Sequence, residues 1–155
     1  MKTLSDSLGQ VYQTENPDLL LFSYHGIPER QVKITRNQTN YRDQCFSTSE
    51  SVRKTLNLPE EKVLTTFQSR LGPVEWIKPY TDIILKELPT KGIKNIVVAS
   101  PSFTADCLET LEEIALRYAE LFKASGGVKF TYAPCLNSSD AFVSAVKEIL
   151  KPYLS

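Results

Sequence analysis

A single histidine and three cysteines are all that this 155-residue chain offers by way of imidazole or thiol. The cysteines Cys45, Cys107 and Cys135 are odd in number and share no metal-type spacing. They fit reduced thiols in a cytoplasm better than a disulfide framework. Excess charge is missing too: 18 Lys+Arg stand against 18 Asp+Glu, a formal net charge of zero. With no basic stripe, nucleic acid is excluded as the main partner. No apolar run approaches the roughly 20 residues that span a bilayer, so no transmembrane segment is expected. Met1-Lys2-Thr3-Leu4-Ser5-Asp6 has no apolar core of a signal peptide. The expectation is a cytoplasmic protein, with peripheral contact to a membrane left open. Internal repeats and low-complexity tracts are absent, and the length suits one domain, 1–155, with a sizeable core.

What is present alternates. Leu4, Leu8, Val11 and Tyr12 recur at helical spacing and predict a helix over 3–13, broken by Asn16-Pro17-Asp18. The continuous apolar run from Leu19 predicts a buried strand over 19–24. Residues 25–39 are polar without period and predict a loop. A helix from Tyr41 to about Asn57, a strand over 62–68 and a helix opening at Pro79, its favoured first position, follow. Then come a strand over 95–99 and the longest helix, from Asp106 to about Ala124. That helix carries Leu108, Leu111, Ala115, Tyr118 and Phe122 on one face and stops at Gly126-Gly127. A strand over 129–132 and a helix over roughly 139–151, with Phe142, Val146, Ile149 and Leu150, complete the chain.

Four strands alternating with helices predict an α/β fold, a four-stranded parallel sheet flanked by helices on both faces. The segments after the strands then gather at one sheet edge, where ligands bind in such folds. These are Ser23-Tyr24-His25-Gly26, Gln68-Ser69-Arg70-Leu71-Gly72, Pro101-Ser102-Phe103-Thr104 and Pro134-Cys135-Leu136-Asn137. His25 is there the candidate base or metal ligand, against the plain alternative of a hydrogen-bonded loop histidine. Asp106 and Glu109 have a structural reading as a capping box and a functional one in which Glu109 works with His25. Glu113 lies four residues beyond Glu109, with Arg117 available to pair with it. Ser69, Arg70 and Trp76 form a candidate substrate-binding set: a cation for an anionic group beside a flat apolar wall. Tyr41 and Tyr80 read as core or rim residues, Cys107 and Cys135 as small buried apolar ones.

Read together, the motifs resemble the ferrochelatases. Ser23-Tyr24-His25-Gly26-Ile27-Pro28 looks like their histidine signature. Thr66-Phe67-Gln68-Ser69-Arg70-Leu71-Gly72, with Trp76 and Pro79-Tyr80-Thr81, looks like a second block. Pro101-Ser102-Phe103-Thr104-Ala105-Asp106-Cys107-Leu108-Glu109-Thr110-Leu111-Glu112-Glu113 looks like a third, and Pro134-Cys135-Leu136-Asn137 a fourth. The resemblance implies insertion of ferrous iron into protoporphyrin IX to form protohaem. It implies that His25 is the essential histidine, as pyrrole-proton acceptor or metal ligand. It makes Glu109 the catalytic glutamate, and Glu113 an acidic residue on a metal or proton path that Arg117 interrupts. His25, Glu109 and Glu113 are thereby the implied metal-handling residues. Cys107 stands where animal members carry a second histidine, and the form of this block resembles the Gram-negative branch. No tightly bound cofactor is expected: iron is a substrate, and the extra cysteines of an iron–sulfur cluster are not there.

The resemblance covers a carboxyl-terminal half. It implies that an amino-terminal half, or a homodimer partner, supplies the other wall of the porphyrin cleft, and that this chain alone is inactive. Two rivals stay open: a half-length homodimeric chelatase for another tetrapyrrole, and a non-enzymatic tetrapyrrole-binding module.

Overall fold

Leu19-Leu20-Leu21-Phe22 lacks polar alternation, and such a strand is stable only with both faces covered. It becomes the centre of the sheet. The computed structural model describes residues 1–33 and 40–154. Its strands are β1 (Leu19–His25), β2 (Val63–Gln68), β3 (Asn95–Ala99) and β4 (Lys129–Tyr132). All pair in parallel, in the order β2-β1-β3-β4.

The helices are α1 (Lys2–Glu15), α2 (Glu29–Lys33), α3 (Tyr41–Thr55) and α4 (Thr81–Glu87). A π-helix over Glu109–Tyr118 runs directly into α5 (Ala119–Ala124), and α6 spans Asp140–Leu150. Side chains alternate across β1. Leu20, Phe22 and Tyr24 pack with Leu8 of α1, Val32 of α2, and Cys45 and Val52 of α3. Leu19 and Leu21 pack with Leu85 of α4, Ile114 and Tyr118 of the π-helix, and Phe122 of α5. Each such fully buried side chain contributes about 1.5–3 kcal/mol of transfer free energy. The parallel sheet covered by helices on both faces is therefore as the alternation predicts.

Five local expectations change. The stretch 25–39 is not all loop: β1 runs through His25, and α2 follows at Glu29–Lys33, while 34–39 lie outside the described residues. Pro79 does not open a helix. The Phe67 N–H donates to the Pro79 carbonyl at 2.8 Å, and Tyr80 bridges Phe67 in parallel. Residues 79–80 thus extend along the edge of β2, and the helix starts at Thr81.

The longest helix is wound as a π-helix where a regular α-helix was expected. Its wider turn rotates the first part of the expected apolar face outward, while Tyr118 and Phe122 stay buried as expected. Leu108 and Leu111 are 76% and 51% exposed, while Thr110, Glu113, Ile114 and Tyr118 are buried. Asp106 does not cap this helix either, because its carboxylate is recruited by the segment after β4. Lastly, α6 buries none of its residues, and Ile149 is 68% exposed.

The segments after the strands do gather at one edge. The His25 N–H donates to Ser102, Gly26 N–H to the Gln68 carbonyl, and Asn137 N–H to the Thr104 carbonyl. The strand order reverses between β1 and β3, so His25 and the segment after β3 flank the crevice where doubly wound sheets take their ligands.

Candidate functional site

His25 is the last residue of β1 and is half-buried. Its Nδ1 lies 2.7 Å from the Gly26 carbonyl oxygen. A carbonyl only accepts, so Nδ1 carries the proton and Nε2 keeps its lone pair. The edge of Phe103 packs on the ring, with centroids 6.0 Å apart. The position of Gly26 requires glycine: a Cβ there would sit 2.7 Å from the Gln68 carbonyl oxygen and 3.3 Å from Trp76 Cε3.

Glu109 is exposed at the start of the π-helix that follows the segment after β3. Its carboxyl titrates below the usual range. The Cys107 thiol is the largest cause, followed by its own backbone amide; desolvation opposes them, and the charge of His25 adds the smallest share. The structure therefore brings His25 and Glu109 within electrostatic reach of each other.

Glu113 is placed differently. It is 8% exposed, and both carboxylate oxygens are occupied. One accepts from the Ser69 N–H at 3.0 Å and the Tyr118 hydroxyl at 2.8 Å, with Arg117 at 3.7 Å. The other accepts from the Ser69 hydroxyl at 2.5 Å and Gln68 Nε2 at 3.5 Å. Glu113 thus ties the segment after β2, where Ser69 adopts a left-handed φ of 62°, to the π-helix. The tie continues inward through buried Gln68, Ser23, Thr81 and Thr66, bonded at 2.7–2.9 Å.

Of the expected substrate-binding set, Ser69 is engaged by Glu113, and Trp76 is brought beside His25 through its contact with Gly26. The indole N–H donates to the Leu71 carbonyl at 3.1 Å. Arg70 has its own anion: it pairs with Asp82 at 2.6 Å and lies 3.9 Å over the Tyr80 ring. It lines a groove of about 720 Å³ with Lys86, Glu113, Arg117 and Tyr118, and His25, Glu109 and Trp76 are outside that lining.

Asp106 binds the loops together. It accepts from the Tyr132 hydroxyl at 2.7 Å, Asn137 Nδ2 at 2.7 Å, Thr110 at 3.1 Å and the Cys135 N–H at 3.3 Å. Burial opposes its ionisation. The hydrogen bonds from Asn137, Tyr132 and Cys135 together outweigh it and lower the carboxyl to about 2. Burial likewise pushes the Cys135 thiol up to about 11, so it stays protonated.

Sequence reasoning missed Ser102 and the role of Tyr41, which hold the His25 backbone. It also missed the Ser23–Gln68–Thr81 network. Its one signal was polar residues inside otherwise apolar strands. Among the described residues, no three His, Cys, Asp or Glu side chains form a metal-holding cluster. None of the described helices is long and apolar enough to cross a membrane.

With this geometry in hand, comparison with known proteins is decisive on family. The ferrochelatase family model matches residues 1–154. A ferrochelatase of Legionella pneumophila strain Philadelphia 1 is 48% identical over 146 residues, covering 84% of this chain and 44% of its own length. The Vibrio cholerae ferrochelatase is 46% identical over 134 residues, covering 86% and 41%. That of Hydrogenovibrio crunogenus is 45% identical over 152 residues, covering 97% and 39%. Among solved structures, one described as a cobalamin (vitamin B12) biosynthesis CbiX protein from Marinobacter aquaeolei VT8 shares the fold. Its TM-score is 0.57 at 17% identity, over 89% of this chain and 98% of that one. The chain belongs to the ferrochelatase family. It spans about two-fifths of the length of the curated relatives it matches.

Proposed function

We propose that this member of the ferrochelatase family supplies the histidine-bearing wall of an enzyme that inserts ferrous iron into protoporphyrin IX. The observation that carries the reading is the open Nε2 of His25, at the strand-order reversal, within electrostatic reach of Glu109. Insertion requires two pyrrole protons to leave and a hydrated cation to shed water. An imidazole is matched to the first task near neutral pH. Imidazole and carboxylate suit divalent iron without gripping it as thiolates would.

In this reading His25 accepts a proton at Nε2 or presents that lone pair to iron, and Glu109, kept ionised, balances the positive charge. Trp76 gives the flat macrocycle an apolar wall. Glu113 and Ser69 hold the rim in shape, and a part for Glu113 in passing metal requires its hydrogen bonds to open. Arg70 reaches a porphyrin carboxylate only by exchanging Asp82.

The cleft needs a second wall, and we assign it to the remaining ferrochelatase polypeptide. The exposed apolar residues Leu71, Leu108, Ile149 and Leu154 support this, because they leave large apolar side chains available for contact with another surface. The reaction is cytoplasmic in this reading. A second reading, a half-length chelatase acting as a homodimer on another tetrapyrrole, is favoured by the CbiX likeness in extent as well as fold.

Insertion of ferrous iron into protoporphyrin IX, followed by loss of porphyrin fluorescence, or of zinc, followed by the shift to metalloporphyrin emission, tests the proposal. The chain alone is expected to be inactive, and the enzyme completed with the rest of a ferrochelatase active. In the completed enzyme His25→Ala abolishes turnover with the fold intact. Near-normal turnover of that variant rules out the role given to His25. Turnover of the chain alone, as a dimer and with cobalt and a non-porphyrin tetrapyrrole, supports the second reading instead.

A further inference from the structure

The peptides on both sides of His25 are held in place. The His25 N–H donates to Ser102 Oγ at 2.9 Å. The His25 carbonyl accepts from Tyr41 Oη at 2.8 Å. The Gly26 N–H donates to the Gln68 carbonyl at 2.9 Å, and the Gly26 carbonyl faces Nδ1 at 2.7 Å. Ser102 follows β3, 77 residues away in sequence. Tyr41 opens α3, whose first turn is set by Asn40 accepting from the Asp43 N–H at 3.0 Å. Three separate elements therefore converge on the two peptide planes that flank His25.

We infer that Tyr41 and Ser102 are positioning residues that select the tautomer of His25. They clamp the His25 backbone from both sides, with Gln68 taking the next N–H. The two planes fix the φ and ψ of His25, and beyond them the Ile27 carbonyl accepts from the Ile77 N–H at 3.1 Å, so the Gly26 carbonyl between these anchors stays aimed at Nδ1. That carbonyl holds the ring proton on Nδ1 and leaves the Nε2 lone pair outward. Without the clamp, the carbonyl swings away and the proton redistributes between the two nitrogens. Tyr41 is the donor in this contact, since the His25 carbonyl can only accept. The arrangement is the backbone counterpart of the outer partners that orient ligating histidines in metal sites.

The functional weight of this inference rests on the proposed role of His25, but its readout does not. His25 is the only histidine, so ring-15N-labelled histidine gives one imidazole spectrum. At about pH 8.5, where a histidine ring is neutral, the wild-type chain shows Nδ1 protonated and Nε2 bare. Tyr41→Phe, which keeps the aromatic ring, and Ser102→Ala, on an exposed loop, each convert this to a mixture with a large Nε2–H share. Backbone amide spectra elsewhere stay unchanged. In the completed enzyme the same substitutions lower kcat for metal insertion about 10–100-fold and leave the porphyrin KM in place. A wild-type ring protonated on Nε2 overturns the inference. So do variants that keep the wild-type ring spectrum, whatever happens to their turnover. If the completed wild-type enzyme inserts no metal, the functional reading fails, and the ring spectra still decide the clamp.

Discussion

Removing the Glu113 carboxylate tests whether it is a tie or a free acid on a path. Glu113→Ala deprives three donors of their acceptor: the Ser69 N–H, the Ser69 hydroxyl and the Tyr118 hydroxyl. Tyr118 is only 7% exposed, so its hydroxyl bears most of the penalty of an unmet buried donor, about 1–3 kcal/mol. The Ser69 groups are half-buried and recover part of their loss from solvent. The Arg117 pair is exposed on the arginine side and adds under about 1 kcal/mol. The sum is about 3–4 kcal/mol, or roughly 10 °C in Tm for a domain of this size. Glu113→Gln keeps the volume and one acceptor oxygen, and the Ser69 hydroxyl can turn to accept, so its cost is about 1–2 kcal/mol. Guanidinium unfolding of both variants, at unchanged slope, measures the difference. A loss below about 1 kcal/mol for Glu113→Ala would refute the argument, because a carboxylate that bonds nothing costs little to remove.

The sheet was legible because its central strands are monotone. Leu19–Phe22 and Ile96–Ala99 can only be buried on both faces, and crossovers of helical length leave parallel pairing as the solution. The convergence of the post-strand segments followed from that topology, and with it the neighbourhood of His25, Glu109 and Trp76. The π-helix was illegible for a physical reason. Leu108, Leu111 and Ala115 match an α-helical face, and only backbone hydrogen bonding shifted by a residue turns Ile114 and Glu113 inward. Asp106 had the pattern of a cap, but its four donors come from Thr110 and the segment around β4, and no local rule reports a partner 31 residues away. The same holds for Arg70, whose attractive exposed cation is satisfied by Asp82 one helix on. Polar residues at a site edge announce that bonding is needed, whereas the choice of partner is tertiary.

Two further tests follow from the packing and the charges of the edge. Gly26→Ala forces a Cβ to 2.7 Å from the Gln68 carbonyl oxygen. It is expected to cost about 1–3 kcal/mol and to shift the emission of Trp76, the only tryptophan; unchanged Tm and emission count against the close approach. Asp106→Asn concerns acid stability. The native carboxyl sits at about 2, held there by hydrogen bonds from Asn137, Tyr132 and Cys135 that outweigh burial. In the unfolded chain an aspartate titrates near its ordinary value of about 3.9. The native state therefore binds the proton more weakly, and the stabilisation is complete above about pH 4 and lost as pH falls towards about 2. Asparagine has no such proton to bind. The variant is less stable than wild type at about pH 7, and the gap narrows across the window from about pH 4 to about pH 2. Unfolding midpoints at matched denaturant slopes across that range measure it. Parallel curves for wild type and variant would mean that Asp106 is not what joins the loops after β3 and β4.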